Sequence, residues 1–591
     1  MTFGQGLLRR LPFSASTTPL QALTYLLGIS LFSISFLVFL NSSVSFVITD
    51  LIGIKDGVGD IVGTLGFVDE IVVLIACPIW GLVSDRSGVR YVAVFGYATI
   101  GLSLFLFVQA HNVYPQLLLA RILFAVGAAA VTTMVTAILP SLTDETGPAA
   151  EIPRGPVSPG GRPSVTLSVD SEATITPERF RGDNDQTSTN GEEPPMGSQG
   201  KGKSSALAGY VGLFTGCGAL VALVLFLPLP ARFSHVDGVT FADAIQDSFY
   251  IVGTISFLVA IFVFFGLRGL RGEEGKGFRM LFGSRASTSQ GTGGSNSSAF
   301  IKNKILPYHH LLKRALQLGF TDHDIALGYL GGFVARASTV AISLFLPLFV
   351  NTYFFSRGFC QGSPTDPSPE LKKECRQAYV LSSILAGVAQ LVGLVCAPLF
   401  GYLASRRARV NWPIVVSAVL GIVGYVAFPM LESPEYKDVE GRGGSPVVFL
   451  LAALMGVSQI GAIVCSLGSL GRGVLKVEVV NVLARVDGER ETLIEDADGE
   501  GDTAPLLENS AALPEDTVSR VRLKGSVAGV YSWFGGAAIL LLTKLGGYLF
   551  DAWSTGAPFY LMAVFNGVLL LASIAIDVSR AAGARRRHHL L

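Results

Sequence analysis

Two adjacent carboxylates, Asp69 and Glu70, lie inside a long apolar run that ends near Val83. A charged residue within such a run is costly to place in lipid, so it marks a candidate functional site. Arg121 and Arg336 lie in two other apolar runs. A carboxylate in this setting can take up and release a proton, and an arginine beside it can shift the carboxylate's pKa or bind an anionic solute.

The four charges are predicted to lie at a similar depth. Asp69 and Glu70 are about 18 Å of helix away from Gly81. Arg336 lies about 17 Å into its own helix. Because neighbours on a helix diverge by about 100°, Asp69 and Glu70 cannot both face one partner. Two interpretations stay open: one acid carries a proton beside Arg121, or the charges neutralise one another in a structural network.

Three uncharged polar residues in apolar runs, Asn41, Gln390 and Gln459, are further candidates for lining a substrate cavity. Polar side chains of this kind more often bridge helices than contact a substrate. Both interpretations stay open for all three.

The elements that must position these residues are membrane-spanning helices. Of the 591 residues, 50% are hydrophobic and 15% are charged, which argues against a soluble globular protein. Apolar runs of roughly 20 residues, enough to cross about 30 Å of hydrocarbon, recur along the chain. The first run is too long for the apolar part of a signal peptide. Twelve spans are predicted: 20–48, 60–83, 91–109, 114–139, 204–229, 248–267, 325–354, 379–404, 412–430, 447–470, 525–550 and 558–576.

The predicted organisation is two six-helix bundles, residues 20–268 and 323–577, joined by a central linker, 269–322. The arginines of the short flanks and connections lie on one side, which the positive-inside rule makes cytoplasmic, and the even number of spans places both termini there. Within the linker, the segment from Ile305 to Leu316 predicts an amphipathic helix at the membrane surface. The remaining segments, all predicted to be cytoplasmic, are the tails 1–19 and 578–591 and the connections 142–203 and 471–523.

Two of these connections carry further signals. Residues 142–203 have the Pro-, Gly- and Ser-rich composition of a disordered segment. In the other connection, Asp502, Leu506 and Leu507 resemble the acidic dileucine signal that clathrin adaptors read for delivery to vacuole, lysosome or endosome. A short pattern of this kind also occurs by chance.

On the side opposite the arginines, Cys360 and Cys375 lie fifteen positions apart in a polar connection. A disulfide between them would form in an oxidising compartment. The alternative is two free thiols. The other four cysteines lie in apolar spans, where they are expected to pack as small residues.

The two halves of the chain share an internal repeat. Three pairs of residues are each separated by 320 positions: Pro78 and Pro398, Gly81 and Gly401, and Arg86 and Arg406. In this register Glu70 falls opposite Gln390 and Asp69 opposite Ala389. Self-similarity on this scale is typical of transporters built from two six-helix halves, and the acids are specific to the first half.

Several motifs carry a resemblance to one family. The turn after the second span reads GLVSDRSGVR, and its recurring positions are Gly81, Asp85, Arg86, Gly88 and Arg90. Residues 119–127, LARILFAVG, place an arginine and a glycine within the fourth span. With these motifs the chain resembles a twelve-helix member of the major facilitator superfamily. The glycine-rich fifth span and the run GGYLFD near the end of the eleventh also resemble its drug/proton antiporters, although the fifth span lacks their Gly-Pro pair.

The resemblance implies roles for several residues. Span seven lines the central cavity of the resembled fold, which makes Arg336 a candidate for substrate contact, with a salt bridge to a first-half acid as the alternative. The turn residues Gly81, Asp85, Arg86, Gly88 and Arg90, with Gly401 and Arg406 in the second half, are implied to hold the cytoplasmic side closed. A tight turn without a gating role is the alternative for this segment.

The sequence therefore predicts an all-α membrane protein of major facilitator fold that moves a small organic solute by alternating access. Proton coupling, with antiport favoured, is the leading hypothesis, and a facilitative uniporter or a non-transporting sensor or scaffold are the alternatives. We expect a monomer in the plasma membrane or in a vacuolar or endosomal membrane, with protons and the solute as partners and a clathrin adaptor as a possible one. Neither an enzyme, a cofactor or metal site, nor nucleic-acid binding is predicted.

Overall fold

The structure is a computed structural model. It describes these residues: 11–54, 58–144, 199–233, 240–273, 276–277, 308–357, 376–406, 411–437, 443–475 and 523–588.

Twelve of the described helices are long and apolar enough to cross a membrane. They are α1 (Pro19–Leu51), α2 (Ile61–Ser87), α3 (Val89–Phe107), α4 (Val113–Thr143), α5 (Gly202–Phe233), α6 (Ala242–Gly266), α7 (His323–Phe354), α8 (Val380–Ser405), α9 (Trp412–Met430), α10 (Val447–Val474), α11 (Lys524–Ala552) and α12 (Ala557–Ala582). This confirms the predicted all-α architecture. The largest differences from the predicted spans are the start of α6, at Ala242, and the end of α12, at Ala582.

The helices pack in the same pattern in both halves of the chain. In the first half α2 packs on α4, and α3 packs on α4 and α6. In the second half α8 packs on α10, and α9 packs on α10 and α12. The two bundles meet chiefly along α2 with α11 and along α5 with α8.

Close glycine contacts join the bundles at the positions that the repeat relates. A Cβ atom built on Gly81 of α2 would lie 2.9 Å from the Cα atom of Gly529 in α11. A Cβ atom built on Gly401 of α8 would lie 2.7 Å from the Cα atom of Gly209 in α5. Gly209 and Gly529 are themselves 320 positions apart, so the two contacts are equivalent under the repeat. The offset therefore extends to helices five and eleven.

Gly401→Val is expected to destabilise the protein by about 1–3 kcal/mol, because a branched side chain there has to push the α5 backbone away. The matched control is Gly387→Val in the same helix, since a Cβ atom on Gly387 meets nothing within 4 Å. The thermal unfolding midpoint of each purified variant in detergent is the measurement. Equal midpoints for the two variants would contradict the proposed packing role.

A thirteenth helix, Tyr308–Thr321, lies in the central linker. We call it the linker helix. It overlaps the predicted amphipathic segment but ends later, and it packs on α7 and α11 rather than lying only on the surface. Leu311 and Ala315 are buried in a cluster with Tyr329 and Val527, and the Tyr329 hydroxyl donates to the Ala315 carbonyl at 3.1 Å.

Several of the membrane-spanning helices start with a local side-chain cap. Thr18 and Thr240 begin α1 and α6 with capping boxes, and the Asp322 side chain accepts from the first amides of α7. By contrast, α3 and α11 begin at Gly88 and Leu523 without a side-chain cap of their own. The free amides at these two starts need acceptors from elsewhere in the fold.

Candidate functional site

A cavity of about 340 Å³ lies between the two bundles. It is bounded by α1, α2 and α4 from the first half and by α7 and α11 from the second. Its apolar lining includes Leu65 and Phe124. Its polar lining includes Asn41, Asp69, Glu70, Arg121, Thr132 and Arg336. Four of the charged residues singled out from the sequence thus face one space.

Asp69 and Arg121 form a buried ion pair, with 9% and 4% of their surfaces exposed. The Arg121 Nε atom donates to Asp69 Oδ2 at 2.6 Å, and a second guanidinium nitrogen contacts the same oxygen. Arg121 Nη2 also donates to Asn41 Oδ1 at 2.5 Å. The other carboxylate oxygen, Asp69 Oδ1, and the remaining nitrogen, Arg121 Nη1, are buried without hydrogen-bond partners. The pair is therefore neutral overall and keeps one free acceptor and one free donor.

Glu70 does not share this arrangement. Its Oε2 atom is buried without a hydrogen bond, and within the described ranges Glu70 takes part in no ion pair. Arg336, from the opposite bundle, lines the same cavity and acts electrostatically on Glu70 without pairing with it. The aliphatic part of Arg336 lies over Gly535, where a Cβ atom would be 2.8 Å from Arg336 Cγ. The cavity thus presents one carboxylate and one guanidinium that form no ion pair with any described group.

The predicted uncharged candidates divide into two groups. Asn41 lines the cavity, as described above. Gln459 lies outside the cavity lining and donates to the Thr339 hydroxyl at 2.9 Å, which bridges α10 and α7. Gln390 is exposed on α8 and is also outside the lining.

Asn41→Ala is expected to destabilise the protein by about 1.5 kcal/mol, because it removes a hydrogen bond to the charged Arg121 guanidinium. Thr254→Ala is the control: Thr254 is exposed on α6 and bonds only within its own helix, to the Tyr250 carbonyl. Unfolding midpoints in detergent compare the two. If Asn41→Ala unfolds no earlier than Thr254→Ala, the hydrogen bond to Arg121 does not contribute to stability.

The side of the bundle that carries residues 84–90, here called the turn side, is closed by polar contacts between the halves. Asp85 accepts from the backbone amides of Gly525 and Ser526, each at 2.7 Å, and from the Ser526 hydroxyl. A carboxylate at a helix N-terminus is favoured by the free amides and the helix dipole. Asp85 thus supplies the cap that α11 lacks locally, across the interface between the bundles.

Glu273, in the segment after α6, caps the start of α3. Its carboxylate accepts from the Val89 amide at 2.7 Å. The same carboxylate forms an ion pair at 2.5 Å with Lys524, the first residue of α11, which is 1% exposed. Lys524 also donates to the Ser141 hydroxyl at 2.5 Å. One carboxylate therefore caps a first-half helix and binds the start of a second-half helix.

Gly88 makes this arrangement possible. Its φ of 98° is one that residues with a side chain rarely adopt, and a Cβ atom there would lie 2.6 Å from Glu273 Oε2. The Gly88 position therefore needs both the backbone freedom and the small size of glycine.

The remaining turn residues contact aromatic side chains. The Arg86 guanidinium lies 3.4 Å from the ring centre of Tyr308, the first residue of the linker helix. Arg90 donates to the Tyr91 hydroxyl at 2.8 Å. Arg406, the counterpart of Arg86 in the repeat, contacts the Tyr402 hydroxyl within its own half. The two halves thus share the glycine packing at the repeat positions, but Arg86 and Arg406 make different contacts.

A further polar contact joins the halves on the turn side. Arg472, near the end of α10, donates to the Ser205 hydroxyl in α5 and to the Ser469 hydroxyl, the latter at 2.8 Å. On the opposite side the outer ends of α2 and α8 are less enclosed, since a Cβ atom on Gly63, Gly66 or Gly387 meets nothing within 4 Å.

Sequence reasoning missed Glu273, Lys524 and Ser526. A signal was present for Lys524, the last of three closely spaced cations and the one that lies at the start of the apolar span. The predicted disulfide Cys360–Cys375 and the sorting residues Asp502, Leu506 and Leu507 lie outside the described residues.

Comparisons with known proteins agree with this architecture. Residues 31–148 match the family model of the Major Facilitator Superfamily. No curated protein matches the chain. Among solved structures, the proton:xylose symporter XylE has a TM-score of 0.50 at 12% identity, with 93% of this chain and 94% of that chain covered.

Two further structures align over similar lengths with lower scores. The fucose:proton symporter FucP of E. coli has a TM-score of 0.47 at 12% identity and covers 94% of this chain and 96% of its own. The human organic anion transporter MFSD10 also has a TM-score of 0.47 at 12% identity, with 94% and 98% covered.

Proposed function

Because the chain has the fold of the major facilitator superfamily, we propose that it is a secondary active transporter. It moves a small organic solute by alternating access, coupled to protons, with antiport as the favoured mode. The observation that carries the proposal is a cavity between the halves that contains a carboxylate, Glu70, without a partner among the described groups. A transporter fold with a titratable group at its centre has the parts that proton coupling needs.

Glu70 is the proposed proton carrier. Asp69 is bound by Arg121, which Asn41 holds through a further hydrogen bond. The Asp69 charge is therefore compensated, which makes protonation of Asp69 less favourable. Glu70 lacks such compensation, and protonation removes its charge from a partly buried position. The Asp69–Arg121 pair then has the structural role that the sequence analysis gave as the alternative to proton transfer.

The turn side is the proposed gate. Asp85 and Glu273 each bind the start of α11 from the first half, and these contacts must break for the turn side to open. Among the described residues, the outer ends of α2 and α8 make no such contacts, which supports access to the cavity from the opposite side. By the positive-inside rule the turn side is cytoplasmic, so the described state is the one closed to the cytoplasm.

We further propose that the protein works as a monomer in a vacuolar, endosomal or plasma membrane, with both termini in the cytoplasm. Each bundle supplies part of the cavity, so a single chain provides a complete site. A clathrin adaptor that reads Asp502, Leu506 and Leu507 would direct it to the vacuole or endosome, and the location of a Leu506→Ala, Leu507→Ala double variant in cells tests that route.

Reconstituted protein in vesicles that contain a pH-sensitive dye tests the proposal. Addition of each member of a solute panel is expected to change the internal pH for at least one member, and an imposed pH gradient is expected to drive that member's accumulation. Flux without any pH change would favour the uniporter. If no member of the panel moves and the vesicles contain folded protein, the sensor or scaffold is favoured instead.

A further inference from the structure

The cavity contains one ion pair and two further charged residues that are not paired with each other. Asp69 and Arg121 neutralise each other through direct contacts. Glu70 and Arg336 line the same cavity from opposite bundles, and neither forms an ion pair within the described part of the chain. With both ionised, the cavity is neutral overall but presents two separate opposite charges to whatever enters it.

This distribution discriminates between classes of solute. A solute with a single charge would compensate either Glu70 or Arg336 and leave the other one without a partner in a site of low dielectric constant, which is unfavourable. A solute with both charges compensates both residues and adds no net charge to the site. An uncharged solute compensates neither.

The rest of the lining fits an apolar stem between two charged ends. Val62, Leu65 and Phe124 form part of the wall. The volume of about 340 Å³ is at the small end of the range for binding pockets, about 300–1,000 Å³. A compact solute is therefore expected, rather than a large amphipathic one.

We propose that the substrate is a small organic zwitterion, whose ammonium group is bound by Glu70 and whose carboxylate is bound by Arg336. The inference rests on the proposed transport function and extends it to a substrate class. The solute connects the two bundles, since Glu70 belongs to α2 and Arg336 to α7. The ammonium group and a proton compete for the same carboxylate, which agrees with antiport.

Binding to the purified full-length chain tests the inference with a matched set of probes: 6-aminohexanoate, hexylamine and hexanoate, together with 4-aminobutanoate and 8-aminooctanoate to vary the distance between charges. At least one zwitterion is expected to bind about 10- to 100-fold more tightly than hexylamine or hexanoate, because it gains a second charge-assisted contact. Isothermal titration calorimetry gives the affinities.

Variants identify the two contacts. Arg336→Gln is expected to reduce the affinity of the best zwitterion to that of hexylamine, and Glu70→Gln to that of hexanoate. Arg336→Lys keeps the charge and is expected to restore part of the affinity, which separates loss of contact from loss of folding. Thr254→Ala, on the outside of α6, should bind as the wild type does.

Three results would overturn the inference: a singly charged probe that binds as tightly as every zwitterion, affinities that the Arg336 and Glu70 variants leave unchanged, or no binding by any zwitterion. These outcomes are independent of the vesicle experiment. If another solute drives proton movement, transport stands while this inference fails, and if a zwitterion binds without any flux, the binding class stands while the transport proposal fails.

Discussion

Glu70→Gln is expected to abolish proton-driven accumulation of the solute in reconstituted vesicles. A pH difference of one unit stores about 1.4 kcal/mol per proton, enough for about tenfold accumulation at one proton per solute. Glutamine has nearly the same shape as protonated glutamate but cannot release a proton, so the accumulation ratio should fall to about one. The amide introduces no new charge into the cavity, and folding should be preserved.

Glu70→Asp is the matched control for this experiment. It keeps the carboxylate on a shorter side chain and is expected to retain accumulation at a reduced rate. Downhill movement of labelled solute, measured in the same vesicles without a pH gradient, shows whether each variant still binds and moves its substrate. Accumulation by Glu70→Gln that equals that of the wild type would assign the coupling to another residue, and Asp69 would be the next to test.

The large-scale architecture was accessible from the sequence because lipid imposes a simple length rule. Each span needs roughly 20 apolar residues, and the twelve predicted spans correspond to the twelve observed helices. The repeat offset was read from α2 and α8 alone. The contacts between Gly81 and Gly529 and between Gly401 and Gly209 show the same offset in α5 and α11. Glycine is so frequent in this sequence that the match between Gly209 and Gly529 was not distinctive.

The pairing of the charges was not accessible in the same way. The sequence placed Asp69, Glu70, Arg121 and Arg336 at one depth, but the rotation of each helix about its axis decides which groups meet. Adjacent positions differ by about 100°, and a small rotation would exchange the surroundings of Asp69 and Glu70. The same uncertainty applies to Gln390 and Gln459, which were candidates for the cavity lining but lie outside it.

The contact between Glu273 and Lys524 could not be predicted from the sequence. Glu273 lies in the linker and Lys524 in the second half, separated by most of the second bundle. No periodicity links a linker residue to a helix start. The physical demand for such contacts was nevertheless visible locally, because neither α3 nor α11 begins with a capping side chain. An uncapped start that is buried at an interface requires an acceptor from another element.

Lys524→Met is expected to shift the protein toward a state open on the turn side. Lys276 still pairs with Glu273, so the change removes one charge-assisted contact from the closed state, at a cost of about 1.5–3 kcal/mol. This cost corresponds to a change in the conformational ratio of about 10- to 100-fold. Cys77 reports the shift, because it lines the cavity and is buried in the closed state. Its reaction with a water-soluble maleimide, followed by peptide mass spectrometry, should become faster.

Lys276→Met is the matched control. Lys276 also pairs with Glu273, at 3.1 Å, but it lies three residues away in the same segment. Its loss removes a charge from the same carboxylate without removing a contact between the halves, so Cys77 should react at nearly the wild-type rate. Adding Glu273→Gln to Lys524→Met removes the buried charge and is expected to slow the reaction again. Equal rates for the two lysine variants would exclude the cross-half pair as part of the gate.

The pH dependence separates this gate from the proton carrier. Burial alone would raise the pKa of Glu273, but the ammonium groups of Lys524 and Lys276 outweigh it and hold the pKa below its ordinary value. A carboxylate of this kind contributes its stabilisation above its unfolded pKa, about 4.3, and loses it only as the pH falls through the lower folded value. Closure measured by Cys77 reactivity, corrected for the maleimide's own pH dependence, should therefore not change through loss of this pair between about pH 5.5 and 7.5. If mild acid in that range opened the turn side as far as Lys524→Met does, Glu273 or Asp85, the other carboxylate that binds the start of α11, would be titrating there. The gate would then itself respond to protons instead of leaving that role to Glu70.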